Sequence, residues 1–206
     1  MSYPVTFEAE YVERHSRLTS FFRLFLAIPL FIWAYVYGIV ASIAIVIAWF
    51  AIVITGRFPK GLYEFIAGWT RFITRVTGYA SLLGDTYPSF GGTDDPAYPL
   101  RMHFAPLEQY SRLKTFFRII LAIPIVILRY VMSLLLEIGG LAAWIVIVIT
   151  GKLPRGLFDL MVLANSYTAR SDAYIYLLTE TYPPFQDETT RAAGTGPEMP
   201  QAPFPS

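Results

Sequence analysis

The sequence predicts a mainly α-helical integral membrane protein made of two tandem copies of one module. Each copy is a short strand, a transmembrane helical hairpin and an amphipathic interfacial helix, giving about four spans and a small β element outside the bilayer. Three observations predict this. Residues 3–90 and 98–185 align at a constant offset of 95 with no gap, and 35 of the 88 positions are identical, far more than two unrelated apolar segments share. Each copy carries an apolar run too long for a soluble fold. Only 15% of residues are charged against 55% hydrophobic, well below the roughly 25% charge of ordinary soluble domains, so much of the surface should face lipid.

The duplication sets the domain organisation: a first repeat over 1–90, a linker over 91–97, a second repeat over 98–185, and a tail over 186–206. The tail is rich in proline, glycine and small polar residues and is expected to be disordered. The opening of the first repeat alternates Tyr3, Val5, Phe7, Ala9 and Tyr11 with Pro4, Thr6, Glu8 and Glu10, the period of a half-buried strand. Leu100, Met102 and Phe104 alternate with Arg101 and His103 in the second, so the two strands can pair with each other.

From Leu18 to Ile54 the chain runs 37 residues with a single charge, Arg23. One straight helix of that length would measure about 55 Å, nearly twice a ~30 Å hydrocarbon core. Either the run turns back near Tyr37-Gly38 as a hairpin, or it bends at Pro29 into one long tilted span. Arg14, Arg17 and Arg23 precede it, and Arg57 and Lys60 follow it. A hairpin gathers all of these on one face, as the positive-inside rule favours, whereas a single span scatters them over both. The hairpin is therefore expected, with Pro29 and Pro124 kinking the first arms. Four passes then leave both termini cytoplasmic in a cell inner membrane. The parallel repeats would be related by a pseudo-two-fold axis along the membrane normal.

Next comes Thr55-Gly56-Arg57-Phe58-Pro59-Lys60-Gly61-Leu62, matched by Thr150-Gly151-Lys152-Leu153-Pro154-Arg155-Gly156-Leu157. Here glycine can cap the ending helix and proline can open the next. That next helix, about Pro59 to Leu83, places Leu62, Phe65, Ile66, Trp69, Phe72, Ile73 and Val76 on one side and Glu64, Thr70, Arg71, Thr74 and Arg75 on the other. Such a helix suits the interface or the flank of the hairpins. Its counterpart runs from about Pro154 to Leu178.

Composition excludes several chemistries. The chain has no cysteine and two histidines, His15 and His103, so thiolate metal sites, disulfides and cysteine nucleophiles are ruled out and no metal or other cofactor is expected. The first seventeen residues lack a basic-then-apolar pattern, so no cleaved secretory peptide is indicated. No phosphate loop, nucleophile elbow or paired-acid constellation occurs, and a net charge of +1 gives no reason to expect nucleic acid. No catalytic residue is assigned.

The candidate residues are therefore polar groups against the apolar background. Arg23 and Arg118 stand at the same place in both copies, where each can snorkel to phosphate or pair with Glu64 or Asp159. Arg57, Lys60, Lys152 and Arg155 can meet anionic headgroups. Arg129 and Glu137 replace Ala34 and Ser42 of the first copy. They are expected to pair with each other near the hairpin tip or to contact a partner.

The run Arg17-Leu18-x-x-Phe21-Phe22-Arg23-x-x-Leu26-Ala27-Ile28-Pro29, with its repeat from Arg112 to Pro124, a following tryptophan-containing span, the Thr-Gly-basic-x-Pro-basic-Gly-Leu corner and the closing Thr-Tyr-Pro-x-Phe, resembles the bacterial membrane family called domain of unknown function 4389. The resemblance covers nearly residues 1–185. It implies an integral membrane protein with a duplicated module and carries no activity or functional residue. The expected role is a non-catalytic accessory or scaffold subunit of a membrane complex, or a lipid organiser, with membrane lipids and membrane subunits as partners. The alternative is a small transporter or channel with its pathway between the hairpins, and an enzyme acting on lipid ranks third.

Overall fold

The structure is a computed structural model that describes residues 3–105, 109–184 and 190–191. The first repeat contributes β1 (Val5–Ala9), α1 (Arg17–Phe21), α2 (Arg23–Thr55) and α3 (Lys60–Ala80). The second contributes β2 (Leu100–Phe104), α4 (Arg112–Phe116), α5 (Arg118–Thr150) and α6 (Arg155–Ile175), and β3 (Thr190–Arg191) follows. Ser16 and Ser111 cap α1 and α4, each accepting a hydrogen bond from a backbone N–H three residues on. Gly56 and Gly151 close the long helices at φ 73° and 75°, the left-handed conformation that glycine adopts without a Cβ penalty.

The expected hairpins are corrected. Each apolar run forms one continuous helix of 33 residues, about 50 Å long, so among the described residues two helices rather than four are long and apolar enough to cross a membrane. The helix passes straight through Tyr37-Gly38. No proline or polar cluster interrupts it there, and Gly38 serves packing instead of a turn: a Cβ on it would lie 3.1 Å from the Trp69 ring of α3.

The long helices run antiparallel. Trp49, near the end of α2, donates to the Thr115 carbonyl of α4 at 2.9 Å, and Trp144, near the end of α5, donates to the Ser20 carbonyl of α1 at 3.1 Å. The backbone repeats the exchange, since Tyr110 N–H donates to Gly56 and His15 N–H donates to Gly151. The end of each long helix thus meets the start of the other.

A pseudo-two-fold axis relates the repeats. β1 pairs antiparallel with β2, and the central pair is Phe7 with Met102, equivalent positions in the two copies. An antiparallel pair is two-fold symmetric about a line perpendicular to its sheet, so that line is the axis of the whole molecule. Layers stack along it. α3 touches both β2 and α2, α6 touches both β1 and α5, and α3 touches α6. The order is sheet, then α3 with α6, then α2 with α5.

Of the two places expected for α3, it takes the flank of the long helix, and the sheet covers its other side. Its apolar side packs on α2, but its polar side meets the sheet: Thr70, Thr74 and Arg75 are all buried. Arg71 donates to the Met102 carbonyl, and Arg75 lies over the Tyr98 ring and donates to Thr93. α6 is buried still more completely, Asn165, Ser166, Arg170, Ser171 and Asp172 included. The linker also docks, because Gly92 approaches α3 so closely that a Cβ would overlap the Gly68 carbonyl at 1.9 Å. Within the tail expected to be disordered, Thr190–Arg191 pairs in parallel with β1, and the remainder of 186–206 lies outside the described residues.

Candidate lipid-facing surface and its anchoring arginines

α2 buries a single stripe, Ala27, Leu30, Ala34, Ala41, Ala44, Ala48 and Ile52, at the spacing of one helical face. The alanines let α3 approach closely, and the large residues point elsewhere. Leu24, Phe25, Ile32, Ile43 and Ile54 are exposed, as are Ile119, Ile127, Ile138, Leu141 and Ile149 of α5. Only 22% and 17% of the most apolar windows of α2 and α5 are buried. A core helix of a soluble protein would be mostly covered, and monomeric soluble proteins rarely leave contiguous apolar patches beyond a few hundred Å².

Cations gather at both ends of this surface. Arg57 and Lys60 follow α2, and the start of α4, with Arg112 and Lys114, lies beside them. At the opposite end Lys152 and Arg155 follow α5, beside Arg14 and Arg17. Of the expected headgroup ligands, Arg57, Lys60, Lys152 and Arg155 are exposed. Lys60 sits 3.8 Å from Glu64, Lys152 2.9 Å from Glu13, and Arg155 over the Tyr11 ring. Arg17 donates to the Thr150 carbonyl at the end of α5, where the helix dipole favours a cation.

Arg23 and Arg118 correct the snorkelling expectation, because both are buried. Arg23 donates to the carbonyls of Tyr79 (2.9 Å) and Gly84 (2.7 Å), pairs with Asp85, and lies 4.4 Å from the Tyr79 ring centroid. Arg118 donates twice to the Thr179 carbonyl and lies 4.0 Å from the Tyr174 ring centroid. The backbone builds these receptors. Leu82 and Leu177 take φ 64° and 69°, the left-handed conformation that costs a residue with a side chain about 1–2 kcal/mol. They close a motif in which Leu83 N–H reaches the Gly78 carbonyl and Leu178 N–H the Ala173 carbonyl. That turn brings the carbonyls of Gly84 and Thr179, just past the ends of α3 and α6, to the arginines, and Arg23 also reaches the Tyr79 carbonyl in the last turn of α3. Neither Glu64 nor Asp159 is the partner, for both lie in the first turns of α3 and α6, at the other end of those helices.

Asp85 also accepts from Ser16 N–H and lies 2.9 Å from His15 Nδ1. Burial opposes its ionisation, but His15, Ser16 and Arg23 together outweigh that and hold the carboxyl below its ordinary value. Glu180 occupies the equivalent place and accepts from Ser111 N–H at 2.7 Å.

Arg129 and Glu137 do not pair with each other. Arg129 meets Asp172 of α6 through two contacts, Nε to Oδ1 at 2.5 Å and Nη2 to Oδ2 at 3.2 Å. Glu137 is exposed and borders a cavity of about 350 Å³ lined by Arg23, Leu24, Ser81, Gly140 and Trp144.

A family model described as Domain of unknown function (DUF4389) matches residues 17–91 and again residues 112–186. The chain belongs to this family. Each DUF4389 module therefore runs from the capped short helix to the closing Thr-Tyr-Pro-x-Phe, and β1 and β2 lie before the matched segments. No curated protein and no solved structure matches the chain. Sequence reasoning missed Asp85, Glu180 and Asp172. The first two had a signal, an acid two residues after Leu-Leu in both DUF4389 modules, whereas Asp172 faces Thr77 in the alignment and is recognisable only together with Arg129.

Proposed function

We propose that the chain is a non-catalytic, membrane-bound protein of the inner membrane, an accessory or lipid-organising component whose apolar surface is covered by lipid acyl chains. The observation that carries this reading is the exposed face of α2 and α5, built of large apolar side chains except at Ser42 and Glu137 and bounded at both ends by cations. Anionic headgroups complement those cations at roughly 1 kcal/mol each, and the cytoplasmic leaflet is the one that favours them. The buried arginines Arg23, Arg75 and Arg118 and the Arg129–Asp172 pair hold layers together, which supports a structural role. A transport pathway would need Arg129 and Glu137 on one hydrated route. Arg129 turns instead into the α5–α6 seam, so that reading draws no support from this pair.

Fractionation tests the proposal. The protein is expected to stay with membranes through high-salt and alkaline carbonate washes and to leave them only in detergent. Recovery in the soluble fraction, or release by salt alone, contradicts it. For the accessory role, mild-detergent extracts should contain a defined larger assembly; a lone monomer in such extracts leaves only the lipid-organising form.

A further inference from the structure

We infer that α2 and α5 do not cross the bilayer but lie along it, embedded side by side in one leaflet, with α3, α6 and the sheet stacked outside. The inference rests on the membrane-bound reading above and adds the geometry of insertion. Its basis is the juxtaposition of one symmetry axis with three layers. The axis passes perpendicularly through the sheet at the Phe7–Met102 pair and relates two antiparallel helices, so those helices lie across it and the sheet stands level with their midpoints.

If the helices spanned, that level would be the middle of the bilayer. The sheet would then carry Thr6, Glu10 and His103, all exposed, and the Glu8–Arg101 pair to membrane mid-depth. Hydrocarbon offers no partners for such groups or for an exposed sheet edge. Exposed Glu137, near the middle of α5, would sit at the same depth. Laid flat, the same structure puts the sheet groups on the aqueous side and keeps Glu137, beside the cavity lined by Arg23 and Ser81, away from the bilayer centre.

Length and charge agree. A helix of 33 residues would need a tilt of about 50° to fit a ~30 Å core, beyond the 0–40° found for spanning helices. Antiparallel spans would also put Arg14, Arg17 and Lys152 on one membrane face and Arg57, Lys60 and Lys114 on the other, leaving no positive-inside bias. With the helices in plane, both groups lie at one headgroup level. Helices that lie in an interface are usually amphipathic one by one. Here the amphipathic object is the three-layer module: apart from Arg23, Arg118 and Arg129, which bond to the layer above, the inner stripe of each long helix is apolar because it packs on α3 or α6, and the outer face because it meets lipid.

The absence of cysteine makes single-thiol labelling clean. The variants T6C, R14C and K60C, with H103C as a second sheet position, are expressed in full-length protein and treated with a membrane-impermeant maleimide in right-side-out and inverted membrane vesicles. In-plane insertion predicts full labelling of all of them from one side and none from the other. Labelling of R14C and K60C from opposite sides, with T6C and H103C protected from both, overturns the inference while leaving membrane association intact. Recovery of the protein outside the vesicles defeats the membrane-bound reading itself, and the insertion geometry with it.

Discussion

In the first repeat the seam between the long helix and its partner is filled by rings. Tyr37 of α2 packs edge-on against Phe65 and Trp69 of α3, each at 5.2 Å between centroids. At the equivalent place in the second repeat Met132 and Ala164 leave no such cluster, and α5 and α6 are joined by Arg129 and Asp172. Both members of the pair differ together, since the first repeat has Ala34 and Thr77 in their positions. The difference teaches that the helix–helix geometry belongs to the module, while the chemistry that fills the seam can be exchanged. It also explains how two ionisable groups came to be tolerated. A buried pair adds little over apolar packing, but a buried charge without its partner is expensive.

The largest test breaks that pair. Arg129→Ala strands Asp172, whose side chain is 6% exposed, and should cost roughly 3–5 kcal/mol of unfolding free energy. Adding Asp172→Thr, which writes the first repeat's residues into the second, should restore most of the loss in the same denaturant titration. A double variant as weak as the single one would show that the seams are not interchangeable.

The buried arginines give the next comparison. Arg23 has two carbonyls and a carboxylate, Arg118 a single carbonyl. With charged hydrogen bonds contributing about 1.5–3 kcal/mol each, Arg23→Met should lower stability in lipid nanodiscs by at least one such bond more than Arg118→Met. Equal losses would mean that the two additional partners of Arg23, the Tyr79 carbonyl and Asp85, add nothing to the first site.

A pH titration sharpens the same point. Asp85 is held below its ordinary value in the folded chain, so the folded state binds fewer protons there than the unfolded one as the pH falls. Its stabilisation is complete above the unfolded value near 4 and is lost through the acid range below it. Asp85→Asn should be less stable than the parent at pH 7, and the difference should shrink as the pH drops below about 4. A constant difference would contradict the assignment.

The smallest expected effect tests equivalence. Trp49→Phe and Trp144→Phe each remove one indole-to-carbonyl hydrogen bond between repeats. Each should cost about 1 kcal/mol, and a marked inequality would show that the axis is not reflected in the energetics.

Much of the module was legible because its signals are local. The constant offset revealed the duplication, alternation located β1 and β2, and Thr-Gly-basic-x-Pro marked the end of each long helix and the start of the next within a few residues. Flanking cations favour a hairpin only if the apolar run crosses the membrane, and each run is one continuous helix. Cations at both ends of a helix can share one level if the helix lies flat. Gly38 looked like a turn since its real reason, the Trp69 ring, lies 31 residues away in sequence. The polar side of α3 looked like a solvent face because nothing local announces that a sheet will cover it. The partners of Arg23 and Arg118 were hidden for a related reason: they are mostly backbone carbonyls, set by Leu82 and Leu177 in a conformation that leucine rarely signals.

The most direct test of the account is the depth profile of α2. Nitroxide labels on single cysteines replacing Phe25, Ile32, Ile39 and Val46, all exposed along one flank of the helix, report their depth through the ratio of oxygen to polar-relaxant accessibility. A level profile, with every site at a similar shallow depth in one leaflet, is predicted. A profile that deepens to the bilayer centre near Ile39 and becomes shallow again towards both ends would contradict it.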